Sequence, residues 1–178
     1  TQIQFLKVVP SDGDLAGLEV ELASGEAREF RLRASIESLR PHFDYIILDT
    51  PPSLGLLAVN ALTAADAVLV PIQCEYFALE GLGAFLGTLE RIRASLNPEV
   101  ALEGVLLTMA DERTNLSQQV AADVRSHFGD QVFRTTIPRS IRLAEAPSHG
   151  VPALNFDRQS KGAQAYVALA GEMLEKHA

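Results

Sequence analysis

Apolar and polar positions alternate along this chain in two rhythms, and the rhythms take turns. Short, mainly apolar runs predict strands at Ile3–Val9, Phe43–Leu48, Ala67–Ile72, Leu102–Thr108 and Val132–Ile137. Between them, apolar residues recur at three- and four-residue steps and predict helices at Leu15–Leu22, Glu26–Arg40, Leu54–Ala64, Ala78–Leu96 and Leu116–Phe128. A short helix around Ser140–Ala146 and a closing helix from Lys161 to about Lys176 complete the pattern. Proline and turn residues punctuate it: Pro10 before Ser11-Asp12-Gly13-Asp14, Pro41 after the second helix, Asp49-Thr50-Pro51-Pro52 after the second strand, and Pro138 after the last. The strands are mainly apolar runs rather than period-two ribbons, as in a sheet buried on both sides. Strand–helix alternation with such strands predicts an α/β fold, a mostly parallel sheet with helices on both faces, in one domain without repeats or linkers.

Composition narrows the possibilities. The 178 residues are 47% hydrophobic and 21% charged, enough apolar content for a core in a chain of single-domain length. A single cysteine, Cys74, excludes a disulfide framework and any zinc or iron–sulfur site built from cysteines of one chain. It reads as a small buried hydrophobe. His42, His127, His149 and His177 have no metal-ligand spacing. No apolar stretch approaches the roughly 18 residues that would cross a bilayer, and a cytoplasmic protein is expected. The net charge of −8 is uneven: from Gln131 to Lys161 five cations (Arg134, Arg139, Arg142, Arg158, Lys161) face two acids (Glu145, Asp157), a local +3 that leaves −11 elsewhere. A local basic segment can bind a polyanion because distant charge is screened beyond about 10 Å; it can equally be a solvated face.

In an open parallel sheet, ligands bind beyond the carboxyl ends of the strands. That directs attention to Asp49-Thr50-Pro51-Pro52, to Pro71–Glu75, to Thr108–Arg113 and to Ile137-Pro138-Arg139. A carboxylate closing an apolar run suits a magnesium ion shared with a nucleoside triphosphate, since magnesium keeps several waters and needs few protein ligands. Asp49 is so placed, with Pro51 stiffening the turn that follows; the alternative is that Asp49 only ends the strand or caps the next helix.

Longer motifs carry more. Asp44–Ser53, Asn60-Ala61-Leu62, Val70–Leu82 (VPIQCEYFALEGL), Thr108-Met109 with Asp111–Asn115, Ile137–Gly150 (IPRSIRLAEAPSHG) and Ser160-Lys161-Gly162-Ala163 together resemble the ParA/Soj family of chromosome- and plasmid-partition ATPases, from about residue 5 onward. The resemblance implies a P-loop NTPase-like fold with ATP and Mg²⁺ as cofactors. It also implies an ATP-bound homodimer on nonspecific DNA, and a ParB-type centromere-binding partner that stimulates hydrolysis. It makes Asp49 the catalytic, metal-side aspartate, places Met109 and Pro138 beside the adenine, and gives Arg113 and Arg142 contacts to the DNA backbone. Arg139 and Lys161 extend that patch, or else lie on a solvated surface or pair with Glu145. Guanidinium forks suit phosphate, and such contacts carry no sequence information.

One departure matters. The family opens with a strand and a glycine-rich loop bearing lysines, and no G-x-x-x-x-G-K-[ST] occurs here; Gly13, Gly17 and Gly25 have no lysine in register. The expectation is that the chain is the C-terminal two-thirds of a ParA-type domain and does not turn over ATP at a useful rate by itself. With the loop's strand lacking, Tyr45–Leu48 would have an unpaired edge. Two other readings remain: a non-catalytic truncation that keeps the DNA or partner surface, and a membrane-cycling relative of the MinD type. The closing helix (Ala165, Val167, Leu169, Ala170, Met173, Leu174) argues against the latter, because its polar face is not rich in Lys or Arg.

Overall fold

The computed structural model describes residues 1, 3–22, 25–51, 53 and 55–177, and of Ala16, Leu18, Glu19 and Val20 it describes the backbone. The start of the predicted helix at Leu54 and the turn residue Pro52 lie outside the described residues. The chain divides into two compact units, Thr1–Asp66 with Ile92–Val100, and Ala67–Arg91 with Ala101–Ala178.

The first unit contains α1 (Asp14–Glu21), α2 (Arg31–Ile36) and α3 (Leu56–Ala64). Its organiser is Asn60, 5% exposed. The Asn60 amide donates to the carbonyls of Arg28 at 2.9 Å and Leu56 at 3.0 Å, and Oδ1 accepts the N–H of Leu32 at 3.1 Å. These bonds account for a departure from the sequence expectation. The predicted helix over residues 26–40 is broken into a 3₁₀ turn at Arg28–Phe30, then α2, then a 3₁₀ turn at Arg40–His42. Ala27 sits in the left-handed region (φ 51°), and Asn60 serves backbone groups that a continuous helix would pair internally. Asn97 does the same at the other end of α3, donating to Leu62 O (3.1 Å) and Ala65 O (2.8 Å), while Arg40 donates to Ala64 O (2.7 Å) and pairs with Asp66. Asn60→Ala removes three side-chain bonds and takes their Asn60 partner from two part-buried backbone groups, Leu32 N and Arg28 O. We expect a loss of about 2–3 kcal/mol, read as a lowered urea midpoint with unchanged slope.

Two predicted strands do not form. Residues 3–5 turn, residues 6–12 are irregular, and residues 43–50 run without joining any ladder. Ile47 is 88% exposed and Tyr45 46%. The reason is general: an apolar run becomes a buried strand only beside a neighbour that takes up its N–H and C=O groups, and among the described residues no strand pairs with this one.

The second unit matches the sequence pattern closely. Parallel strands β1 (Ala67–Gln73), β2 (Ala101–Ala110) and β3 (Val132–Pro138) form a sheet in the order β1-β2-β3. Helix α4 (Ala78–Ser95) follows β1 and α5 (Asn115–Phe128) follows β2; α6 (Ile141–Glu145), α7 (Ala153–Phe156) and α8 (Lys161–Lys176) follow β3. Successive residues of β2 point to opposite faces. Val105 and Leu107 join Leu82 of α4 and Val120 and Val124 of α5, while Leu106 joins Phe133, Ile137 and Leu169 of α8. Side-chain caps start two of the helices where the sequence places Thr and Ser: Thr114 accepts from Ser117 N and Ser160 from Ala163 N. The α/β fold with a parallel sheet covered on both faces is thus present. Among the described residues no helix is long and apolar enough to cross a membrane.

Candidate nucleotide and nucleic-acid interface

Three loops meet at the carboxyl end of this sheet. Two hydrogen bonds extend the strand alignment past β1 and β3, from Cys74 N to Thr108 O (3.0 Å) and from Arg139 N to Ala110 O (2.9 Å). The Thr108 hydroxyl donates to Ile72 O at 2.9 Å. Between them Met109 takes a left-handed backbone (φ 52°) with its side chain partly exposed. A β-strand residue rarely does so, and the residue that follows it, Ala110, pairs with Pro138. Met109, Pro138 and Arg139 are therefore neighbours at one sheet edge. Burial pushes the Cys74 thiol up, as suits a core residue rather than a nucleophile.

Arg139, after β3, reaches across the end of β2 and donates to Glu75, after β1, at 3.0 Å. Arg113 folds back on Asp111: Nε to Oδ1 at 2.8 Å, Nη2 to Oδ2 at 2.7 Å. The Arg113 guanidinium and its backbone N–H hold the Asp111 carboxyl well below the usual carboxylate range, and Arg139 adds to this. A second basic corner forms where α6 meets the first turn of α8. Arg142 donates to Glu145 (3.0 Å), lies 3.5 Å from Asp157 and stands 5.9 Å from the Phe156 ring centroid, which His149 stacks upon. The corner is close-packed: a Cβ on Gly162 would come within 2.5 Å of Leu143 Cγ. Lys161, the first residue of α8, is exposed.

Met109, Arg113, Pro138 and Arg139 are brought to the sheet end, and Arg142 and Lys161 to the α6–α8 corner. Asp49 and Pro51 belong to the other unit, exposed on the extended segment after residue 48. Glu145 pairs with Arg142, whereas the acid opposite Arg139 is Glu75. From the sequence Glu145 is expected opposite Arg139 or Lys161, and neither Asp111 nor Glu75 is matched with its arginine. Asp111 could have been found from its place two residues before Arg113; Glu75 is 64 residues from Arg139 and left no such signal.

Magnesium bound with a nucleotide takes one or two carboxylates and leaves its other positions to water and phosphate. Among the described residues no cluster of three or more His, Cys, Asp or Glu could cage a metal. An exposed single donor such as Asp49 fits that kind of ion, whereas no lysine-bearing phosphate loop occurs in the sequence.

Comparison with known proteins identifies the family and the fold. Residues 1–102 match a family described as an AAA domain. The chromosome partitioning protein ParA of Caulobacter vibrioides (strain NA1000 / CB15N) is 51% identical over 178 residues, 99% of this chain and 67% of that protein. The sporulation initiation inhibitor protein Soj of Bacillus subtilis (strain 168) is 50% identical over 173 residues, 97% of this chain and 68% of its own length. Among solved structures, cobyrinic acid a,c-diamide synthase from Mycobacterium smegmatis with bound ATP analog and magnesium superposes with a TM-score of 0.75 at 41% identity. It covers 88% of this chain and 58% of that one. The chain spans about two thirds of the length of the curated relatives it matches. With half or more of its residues identical to proteins so named, and with its strands and helices in their fold, this chain belongs to the ParA/Soj family of chromosome-partitioning ATPases.

Proposed function

We propose that this chain is the DNA-facing part of a partition ATPase that binds duplex DNA without sequence preference as an ATP-bound homodimer, in the cytoplasm and on the nucleoid. A ParB-type centromere-binding protein is its stimulating partner, and the cargo is a chromosome or a plasmid. Arg113 and Arg142 meet the DNA backbone, with Arg139 and Lys161 widening the patch. The observation that carries this reading is the placement of Arg113, 86% exposed, on the loop after β2. Together with Arg142 it offers planar, permanently charged forks to solvent within an otherwise acidic protein.

The nucleotide reading rests on the family motifs that carry these residues: Met109 and Pro138 are proposed beside the adenine, and Asp49, followed by Pro51, as the ligand for magnesium. When bound, the ion neutralises charge on the phosphate oxygens. Asp49 supplies the anionic oxygen that keeps the ion in register, and Pro51 restricts the turn behind it. The second reading is a non-catalytic DNA or partner binder. ATP turnover by the protein at its native length separates the two. A membrane-cycling role has less support, because Ala165, Leu169 and Met173 of α8 are used in the core against Leu106, Phe133 and Ile137.

Arg113→Ala and Arg142→Ala should each weaken binding to a random-sequence duplex by roughly tenfold at low salt and flatten the salt dependence by about one unit of slope. Nucleotide binding should be unchanged. Wild-type DNA affinity in both variants, measured by fluorescence anisotropy, removes the DNA assignment.

A further inference from the structure

Arg113 is the most exposed of the arginines at the sheet end, yet its guanidinium is occupied. The two parallel bonds to Asp111 reproduce the fork-to-fork geometry that a phosphate would take. Acid and arginine do not contribute equally to this pair. Asp111 Oδ1 also accepts the backbone N–H of Arg113 at 3.0 Å, closing an Asx turn. The backbone of Asp111 is tied down as well: its N–H donates to the buried Ser117 hydroxyl at 3.0 Å, and its carbonyl accepts from the N–H and the hydroxyl of Thr114, each at 3.1 Å. The Asp111 side chain is 18% exposed against 86% for Arg113. The acid is fixed and the arginine is the partner free to leave.

We propose that Asp111 is a built-in competitor for DNA phosphate: a fixed carboxylate that holds Arg113 in the unbound protein and must be displaced before Arg113 engages the backbone. The inference rests on the reading that Arg113 contacts DNA, and it adds how that contact is restrained. Because neighbouring charges keep Asp111 ionised far below neutrality, protonation does not open the pair in the physiological range. Displacement by another anion does. A DNA contact that must replace an internal one is weaker and dissociates faster, while the turn keeps the guanidinium ordered at the loop. The pairs Arg139–Glu75 and Arg142–Glu145 are joined by one hydrogen bond each, with both partners well exposed, so they restrain their arginines less.

The sign of one substitution decides the matter. Asp111→Asn keeps the turn-closing oxygen and removes the charge. In the native-length protein with ATP, it should tighten binding to a random-sequence duplex about three- to fivefold and steepen the salt slope by about one. Asp111→Glu, which retains the acid, should stay near wild type, and Asp111→Asn combined with Arg113→Ala should bind like Arg113→Ala alone. If Asp111→Asn misfolds, Asp111→Ser supplies the same uncharged turn acceptor and the same expected gain. Unchanged or weaker binding by the uncharged variants, with Arg113→Ala still impaired, overturns the competitor role and leaves the DNA reading standing. Wild-type binding by Arg113→Ala overturns the DNA reading itself.

Discussion

Asp49→Ala, introduced into the protein at its native length, should cut ATP turnover by at least about a hundredfold. It should leave the unfolding midpoint where it was. Both halves follow from where the residue lies. As the proposed magnesium ligand, Asp49 supplies a hard anionic oxygen that alanine cannot replace. As a residue exposed on an extended segment outside any ladder, it contributes little to folding, since surface substitutions away from caps and networks have small effects. Lost turnover with a normal melt would therefore report on chemistry and not on misfolding. Phosphate release measured with and without DNA and partner protein is the appropriate assay. Turnover within about twofold of wild type would remove Asp49 from the reaction.

Gly104→Ala should destabilise the protein by about 3 kcal/mol. The strand register shows why glycine is needed there. Leu102 of β2 pairs with Val68 of β1, and Gly104 pairs with Leu69, so Glu103 is an extra residue, a β-bulge in the central strand. At this point the backbone has φ +156°, and the Phe133 ring of β3 lies directly on it. A Cβ on Gly104 would stand 2.8 Å from Phe133 Cε2 and 2.9 Å from the carbonyl oxygen of Gln131. The carbonyl cannot rotate away as a flexible side chain would. Nor can the ring retreat easily, because the Lys176 ammonium caps it at 4.6 Å and itself donates to the Glu103 carbonyl. Gly87 in α4 is the control. Nothing lies within 4 Å of its added Cβ, so Gly87→Ala should stabilise by about 0.5–1 kcal/mol. Equal urea midpoints for Gly104→Ala and wild type would show that the sheet yields more readily than this packing implies.

The second unit was legible in the sequence almost residue by residue because its signals are local. Val68–Ile72 and Leu102–Leu107 are apolar runs of strand length. Leu82 and Leu89 recur at helical spacing in α4, and Thr114 and Ser160 stand one residue ahead of the helices they cap. The first unit was read less well. Tyr45–Leu48 has the composition of a buried strand, but strand formation needs a partner that composition does not reveal. Glu26–Arg40 has the spacing of a helix, but the Asn60 amide, twenty-eight residues beyond Leu32, competes for its backbone. The candidate site divides in the same way. Met109, Arg113, Pro138, Arg139 and Arg142 could be chosen from their positions after strands and from the family motifs. Glu75, the carboxylate that holds Arg139, could not, while Glu145 stands three residues from the Arg142 it pairs with.

The amino-acid order alone determined the α/β class, the run of strands and helices from Ala67 onward, and membership of a partition-ATPase family. Each of these is encoded in short-range periodicity or in contiguous motifs. Three matters were left to the tertiary structure: that the apolar run 43–48 joins no ladder, that β2 carries a bulge under Phe133, and that Arg139 is claimed by Glu75 from the far side of the central strand. All three depend on which distant segments meet, and backbone pairing, close packing and ion pairing act over a few ångströms whatever the separation along the chain.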